Sequence, residues 1–344
     1  MSSSPLLLYG GSGYTATLIR SAAAGRIDLC SASRSLPRGI GGSELALSLD
    51  DPGALREALA DREAVLNCAG PFAATWRPLV EACIDSGTHY LDVNAEWAVF
   101  EEMQHFDGIA RERGVMLLPG VGFDVVASDC LAAHVAARLP GAVRLQIGIS
   151  GLELLSRGSA RTLLDLAGKP TQVRRGGVIK SCPQPGHARF DFGRGPTGAI
   201  GVSWGDVATA HLTTGIPDVE VYFEATAAAL GLDLWNRSFG WLLKSPLGQG
   251  LVRGQLGWLP EGPSARERAS RRAVVVARAE DAGGRQIEAR LETPEAYTFT
   301  ALSAVAIAQK VLSGAAKPGF QTPGRFLGPD FPLTLPGVAR SDRV

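Results

Sequence analysis

The stretch that most constrains this chain is Leu6-Leu7-Leu8-Tyr9-Gly10-Gly11-Ser12-Gly13-Tyr14-Thr15-Ala16, where an apolar run breaks at three glycines and passes at once into helix-compatible sequence. It predicts strand, tight turn, helix. Gly10, Gly13 and Ala16 occupy the three small-residue positions of a dinucleotide-binding turn, in the form G-x-x-G-x-x-A. A diphosphate placed over such a turn meets backbone N–H groups and the positive end of the helix dipole, with no side chain in the way. An ordinary strand-to-helix turn can carry the same letters, so the next strand has to be read with it.

That strand, Asp28 to Ser33, is short, mostly apolar and followed by Arg34, with no Asp or Glu to close it. A carboxylate there would bond the ribose hydroxyls of NAD. Arg34, with Ser33 and Arg38, instead offers charge-assisted hydrogen bonds to a 2′-phosphate. The reading is NADP(H), the alternative being a solvated loop arginine.

At 344 residues the chain suits two domains. Lys plus Arg equals Asp plus Glu at 34 each, so no global field favours nucleic acid or an anionic membrane. The five cysteines are widely spaced without a C-x-x-C pair, and the histidines are scattered, which argues against a disulfide framework or a metal site and for a reducing cytoplasm. No secretory leader and no run of membrane-span length is evident, so a soluble protein is expected.

Along the chain, helix patterns at 14–24, 76–86 and 97–113 alternate with strand patterns at 44–49, 64–67, 89–93 and 115–118, which predicts a parallel, doubly wound α/β sheet. Beyond Pro119 the alternation ends. Candidate strands at 188–192, 199–204, 219–223, 273–279 and 285–291 predict an α+β domain with a mostly antiparallel sheet, its last two strands joined by a hairpin at Ala282-Gly283-Gly284. The expected division is 1–130 for the dinucleotide-binding domain, completed by 294–344, and 131–293 for the inserted substrate and dimerisation domain. The apolar segment Ala225 to Leu259, with Trp235, Phe239, Trp241 and Trp258, reads as a helical pair or homodimer surface, or as a peripheral lipid-binding flap. The tail from Lys317 reads as a surface strap.

Ligands of doubly wound sheets lie outside the carboxyl ends of the strands. Those ends carry Asn67-Cys68-Ala69-Gly70-Pro71-Phe72, then Asp92-Val93-Asn94-Ala95-Glu96, then Gly122-Phe123-Asp124. Small residues in the first let the backbone approach a dinucleotide, and the third could place amides near a nicotinamide. Asp92 reads as a helix cap or loop anchor ahead of a proton donor, because Asp and Asn are preferred caps and a helix follows. Asp92, Glu96, Asp124 and His211 are the candidate proton donors, and Arg157, Ser159, Arg161 and Thr162 form a candidate substrate-facing turn.

Taken together, Gly10-Gly11-Ser12-Gly13-Tyr14-Thr15, Ser33-Arg34, Asn67 to Phe72, Tyr90-Leu91-Asp92 with Glu96, Gly122-Phe123-Asp124 with Ser128-Asp129, Gly262-Pro263-Ser264 and Thr322-Pro323 near Gly328 resemble the saccharopine dehydrogenase-like NADP-binding oxidoreductases. The resemblance is strongest to the bacterial branch labelled trans-acting enoyl reductase. It implies a Rossmann domain completed by C-terminal residues, an inserted α+β domain, and NADPH-dependent reduction of a C=N or C=C bond in a small or carrier-bound substrate. Two departures stand out: Ala16 replaces the usual glycine, and the arginines of Ser156 to Thr162 replace a plainer Ser-Gly-Gly-Thr turn. The competing class is a non-enzymatic NADP-binding scaffold or redox sensor that engages a carrier protein or lipid surface.

Overall fold

The computed structural model describes residues 4–34, 44–152, 154, 156–158, 169–226 and 261–343. The chain divides into two compact units, Met1–Cys130 with Ala296–Pro336, and Leu131–Glu295 with Gly337–Val344. The C-terminal boundary departs from the sequence reading, since the residues after Pro336 belong to the second unit.

In the first unit, β1 (Leu6–Tyr9), α1 (Tyr14–Ala23), β2 (Leu29–Ser33), β3 (Glu44–Ala46), α2 (Pro52–Leu59), β4 (Ala64–Asn67), α3 (Phe72–Ser86) and β5 (His89–Asp92) alternate as expected. The single helix expected over 97–113 is instead α4 (Trp97–Met103), a 3₁₀ turn and α5 (Asp107–Glu112), followed by β6 (Met116–Leu118) and α6 (Phe123–Arg138). β1 and β4 are buried along their whole length, which is why they read as continuous apolar runs rather than alternating ones. A glycine in the left-handed conformation ends α3, where the Gly87 amide bonds the Cys83 carbonyl.

The second unit holds β7 (Ala142–Ser150), β8 (Thr171–Arg175), β9 (Val178–Cys182), β10 (His187–Asp191), β11 (Pro196–Val202), α7 (Asp206–Thr214), β12 (Asp218–Glu224), α8 (Ala265–Ser270), β13 (Arg272–Asp281) and β14 (Gln286–Pro294). The returning chain adds α9 (Ala296–Lys310), β15 (Gly319–Phe320) and α10 (Pro323–Leu327) to the first unit and β16 (Ala339–Arg343) to the second.

Among the described residues the first sheet runs β3-β2-β1-β4-β5-β6-β15, every neighbouring pair parallel. The order reverses between β1 and β4, which creates the crevice where open α/β sheets take ligands. β15 corrects the expected surface strap: Phe320 is buried and continues the sheet beyond β6.

The second sheet runs β10-β11-β12-β7-β13-β14-β16, with the β8–β9 hairpin attached to β12, and all its pairs are antiparallel except β7 with β12. One face is apolar: Ile147 of β7 lies beside Val221 and Ala277, and Ala277 beside Ala289, all buried. The other face carries Tyr222, Glu224, Arg278, Arg290 and Glu292. On that face the sheet curls until its edges meet, the Arg343 guanidinium of β16 donating to Asp191 of β10 at 2.8 Å. Arg278 donates to the Arg189 carbonyl at 3.2 Å and lies 5.1 Å over the Phe190 ring, so the curl encloses Phe190, Phe192, Tyr222 and Val276. Among the described residues no helix is long and apolar enough to cross a membrane.

Candidate functional site

The turn after β1 is built for close approach. Gly10 has φ +81°, and a Cβ there would lie 2.8 Å from the Ala69 nitrogen; one on Gly11 would lie 2.7 Å from the Ser31 Cβ. These glycines therefore let the turn after β1 pack against the loop after β4 and against strand β2, beyond sparing room for a ligand. The amides of Gly10 and Gly11 both donate to the Ala32 carbonyl, at 2.8 and 3.1 Å, and Gly13 donates to Gly10 at 2.9 Å. The three glycine amides are thus committed within the chain, and a diphosphate would meet the first turn of α1 with Ser12, Tyr14 and Thr15. Gly13 is the N-cap of α1 and makes no side-chain cap bond. Ala16, the third small residue, is fully buried, and Tyr14 stacks edge-on against Tyr297 of α9 with centroids 5.2 Å apart.

At the end of β2, Ser33 is half-buried while Arg34 is exposed and has no ion pair among the described residues. Arg38 lies outside the described residues. The guanidinium of Arg34 stands near enough to the Tyr9 phenol to oppose the upward push that burial gives it.

The carboxyl ends of β4 and β5 share one buried network. Asn67 donates to the Thr75 hydroxyl at 3.1 Å and to the Tyr90 oxygen at 3.2 Å, and accepts from the Ala69 amide at 2.9 Å. Tyr90 donates to Asp92 at 2.9 Å, and the other Asp92 oxygen accepts from the amides of Asn94 at 2.9 Å and Gly120 at 2.8 Å. Asp92 is therefore the anchor that joins β5 to the loop after β6. Burial raises its carboxyl to about 7, against those donors, which pull it down. Burial likewise pushes the Cys68 thiol far up, so Cys68 is an inert small residue of this loop. The Gly70–Pro71 peptide is cis, and Phe72 opens α3.

Glu96 has a role the sequence did not reveal. Its two oxygens accept from the amides of Phe72 at 2.9 Å and Ala73 at 3.0 Å, so a carboxylate from the loop after β5 occupies the positive end of α3. Asn94 supports it by accepting from the Glu96 amide at 2.7 Å.

The turn into α6 is held by α9. The Phe123 amide donates to the Thr300 hydroxyl at 3.0 Å, Ser303 donates to the Val121 carbonyl at 2.8 Å, and Phe123 meets Phe299 edge-on at 5.8 Å. Gly122 has room for no side chain, a Cβ there lying 3.0 Å from the Thr300 methyl. Burial raises the carboxyl of Asp124, in the first turn of α6, to about 7. One turn on, Asp129 accepts from the Gly324 amide at 2.6 Å, and Thr322 caps α10, so two separate sequence motifs prove to be one contact. Thr300 and Ser303 carried no local signal, because their partners are 177 and 182 positions away.

The remaining candidates stand apart. His211 sits in α7 of the second unit, its Nδ1 donating to the Ile216 carbonyl at 2.8 Å, a bond that closes the helix. Arg157 pairs with Glu261 at 3.0 Å. Ser159, Arg161 and Thr162 lie outside the described residues, as does the segment 227–260.

Residues 18–118, which begin just after the glycine turn, match the model of the saccharopine dehydrogenase NADP-binding domain. That stretch of the first unit is similar to a saccharopine dehydrogenase NADP-binding domain. Related stretches occur in a probable mitochondrial saccharopine dehydrogenase-like oxidoreductase of Arabidopsis thaliana, 35% identical over 86 residues, and in a saccharopine dehydrogenase-like oxidoreductase of Mus musculus, 35% identical over 83. Those matches take in 25% and 24% of this chain and 19% of either relative. The chain as a whole has the fold of the apo saccharopine dehydrogenase (L-Glu forming) of Saccharomyces cerevisiae, with a TM-score of 0.63 at 13% identity over 99% of this chain and 100% of that one. The cofactor class of the saccharopine dehydrogenase NADP-binding domain, a nicotinamide dinucleotide, fits the glycine-capped start of α1 beside the crevice between β1 and β4.

Proposed function

We propose that the chain is an NADPH-dependent reductase that passes a hydride to a C=N or C=C bond of a small or carrier-bound substrate. The observation that carries this reading is the first turn of α1, whose N-cap is a glycine at the point where the strand order reverses, with the exposed Arg34 at the end of the adjoining strand. Reduced nicotinamide supplies the hydride when bound. The chain's own tasks are to hold the diphosphate on α1, to pair Arg34 with the 2′-phosphate, and to deliver a proton to the product. Asp92 and Glu96 spend their carboxylates on backbone amides and, for Asp92, on Tyr90. Asp124, raised to about 7 by burial, is the acid best matched to proton delivery near neutral pH.

The test is NADPH oxidation, followed by absorbance, against imines, enoyl thioesters and saccharopine-like amino acids. Turnover confined to one class names the bond reduced. With Asp124 as the acid, kcat falls as pH rises through about 7, and Asp124→Asn removes that limb. Tight NADPH binding without turnover on any of the three would replace the reductase reading with the scaffold reading.

A further inference from the structure

We propose that the second unit binds a small, multiply charged anion, of the phosphate-ester or dicarboxylate class, in an arginine-lined cavity at one end of its curled sheet. This site lies wholly within the second unit and does not depend on the cofactor reading. The cavity is about 400 Å³, within the range of small-molecule sites, and Arg194, Arg271, Arg272 and Arg290 line it against the single carboxylate of Glu292. Glu224 holds Arg194 at 2.9 Å, and the lining still keeps an excess of positive charge.

The positions of these groups are built in. Arg290 projects from β14 into the curl on the same face as Val276 and Tyr222, is partly buried, and has no ion pair among the described residues. A guanidinium inside a fold with no ion pair among the described residues costs desolvation that those residues do not repay, and a ligand that supplies the counter-charge would repay it. The turn opposite is shaped to let Arg290 through. Gly193 has φ +102°, and a Cβ there would come within van der Waals overlap of the Arg290 guanidinium. Asp191 fixes this turn by accepting from the amides of Gly193 at 2.7 Å and Gly195 at 3.0 Å, while its other oxygen takes Arg343. On the far rim, Gly151 has φ +89° and a Cβ there would lie 2.5 Å from the Arg272 carbonyl, so the end of β7 is drawn against the start of β13, where Arg271 and Arg272 leave α8. Guanidinium forks converging on one space match paired anionic oxygens, which phosphate esters and dicarboxylates share.

Calorimetric titration of the full chain with pyrophosphate and, separately, with glutarate tests the site, each run with and without saturating NADPH so that binding at α1 is told apart by competition. At least one probe should bind with NADPH present, and the tighter of the two names the class. Arg290→Gln and Arg272→Gln should each weaken that binding by about tenfold or more, the loss of a charge-assisted hydrogen bond, with NADPH affinity unchanged. Arg285→Gln, which removes the same charge from the turn at the other end of the β13–β14 hairpin, should leave it intact. If Arg290→Gln fails to fold, Arg272→Gln decides. Absence of binding by both probes, or binding that folded Arg290→Gln and Arg272→Gln leave unchanged, overturns the site.

Discussion

Two helices of the first sheet, α1 and α3, begin at the carboxyl ends of the neighbouring strands β1 and β4, and both enter from a loop of small residues. They differ in what meets their positive ends. At α3 the chain supplies its own anion, the Glu96 carboxylate on the amides of Phe72 and Ala73. At α1 the N-cap is Gly13, with no side chain to reach back. Since a helix N-terminus is satisfied by a carboxylate or a phosphate with the same chemistry, the end capped by Glu96 is structural, and on the proposed function the glycine-capped end beside the crevice is the one that takes the ligand. The presence of a glycine-rich entry distinguishes neither.

The largest test of this contrast is to make α1 resemble α3. Gly13 has φ −77° and ψ 157°, an ordinary N-cap backbone conformation, and a Cβ there would lie 3.3 Å from the Gly10 carbonyl oxygen, a tight contact. Gly13→Asp should keep the protein folded, the new cap offsetting the tight contact, yet weaken NADPH binding by about a hundredfold or more, because the new carboxylate takes the diphosphate's place and repels it. Retained affinity would mean that α1 does not hold the diphosphate. Next in size, Arg34→Asp should weaken NADPH binding by about tenfold to a hundredfold, the loss of a bond worth about 1.5–3 kcal/mol, while NADH is much less affected. Equal effects on both cofactors, read from nicotinamide fluorescence, would remove Arg34 as the 2′-phosphate reader.

A third test uses pH. The Asp124 carboxyl stands at about 7 in the fold, above its ordinary value, so between about pH 4 and pH 7 the native chain holds a proton that the unfolded chain has lost. Stability from this group is complete below the unfolded pKa and falls as pH rises through the folded one. Asp124→Asn should flatten the fall in melting temperature from pH 5 to pH 8, by the equivalent of about 2 kcal/mol after allowance for partial exposure. Asp92, also at about 7, keeps its own share in that variant. An unchanged slope would show that Asp124 titrates normally. The smallest effect is at α3. Glu96→Ala should cost about 1–2 kcal/mol of stability and leave NADPH affinity within a few-fold, and inorganic phosphate should restore the melting temperature more than it raises that of the native chain. A fall in NADPH affinity as large as that of Gly13→Asp would erase the distinction between the two helices.

The legibility of the sequence follows the range of the interactions. The turn at Gly10 to Ala16, the alternation through β6 and the hairpin at Gly283-Gly284 rest on neighbours a few positions apart, and each could be read directly. The chemistry of the site could be read only in part. Asp92 has the letters of a cap, but its bond to Gly120 depends on β5 and β6 lying side by side. Glu96 reads as a loop acid because its partners are 23 and 24 positions earlier in a different helix. β15 is two residues long and β16, Ala-Arg-Ser-Asp-Arg, is an exposed edge strand without apolar alternation, so neither has a periodicity to detect. The arginine cavity was invisible for the same reason: its residues come from separate strands and turns, and only the curl of the sheet brings them together.

β15 has a further consequence for how the protein is made. During synthesis the strands through β6 leave the ribosome long before Gly319 and Phe320, whose amide will bond Asp107 across 213 positions of chain. Until then β6 is an open edge with unpaired backbone groups, in a segment that otherwise has what it needs to collapse. Closing it must wait until the intervening sequence of the second unit has been made, a loop closure of high sequence separation. The nascent chain therefore passes through an interval in which its first sheet is nearly complete but open at the β6 edge.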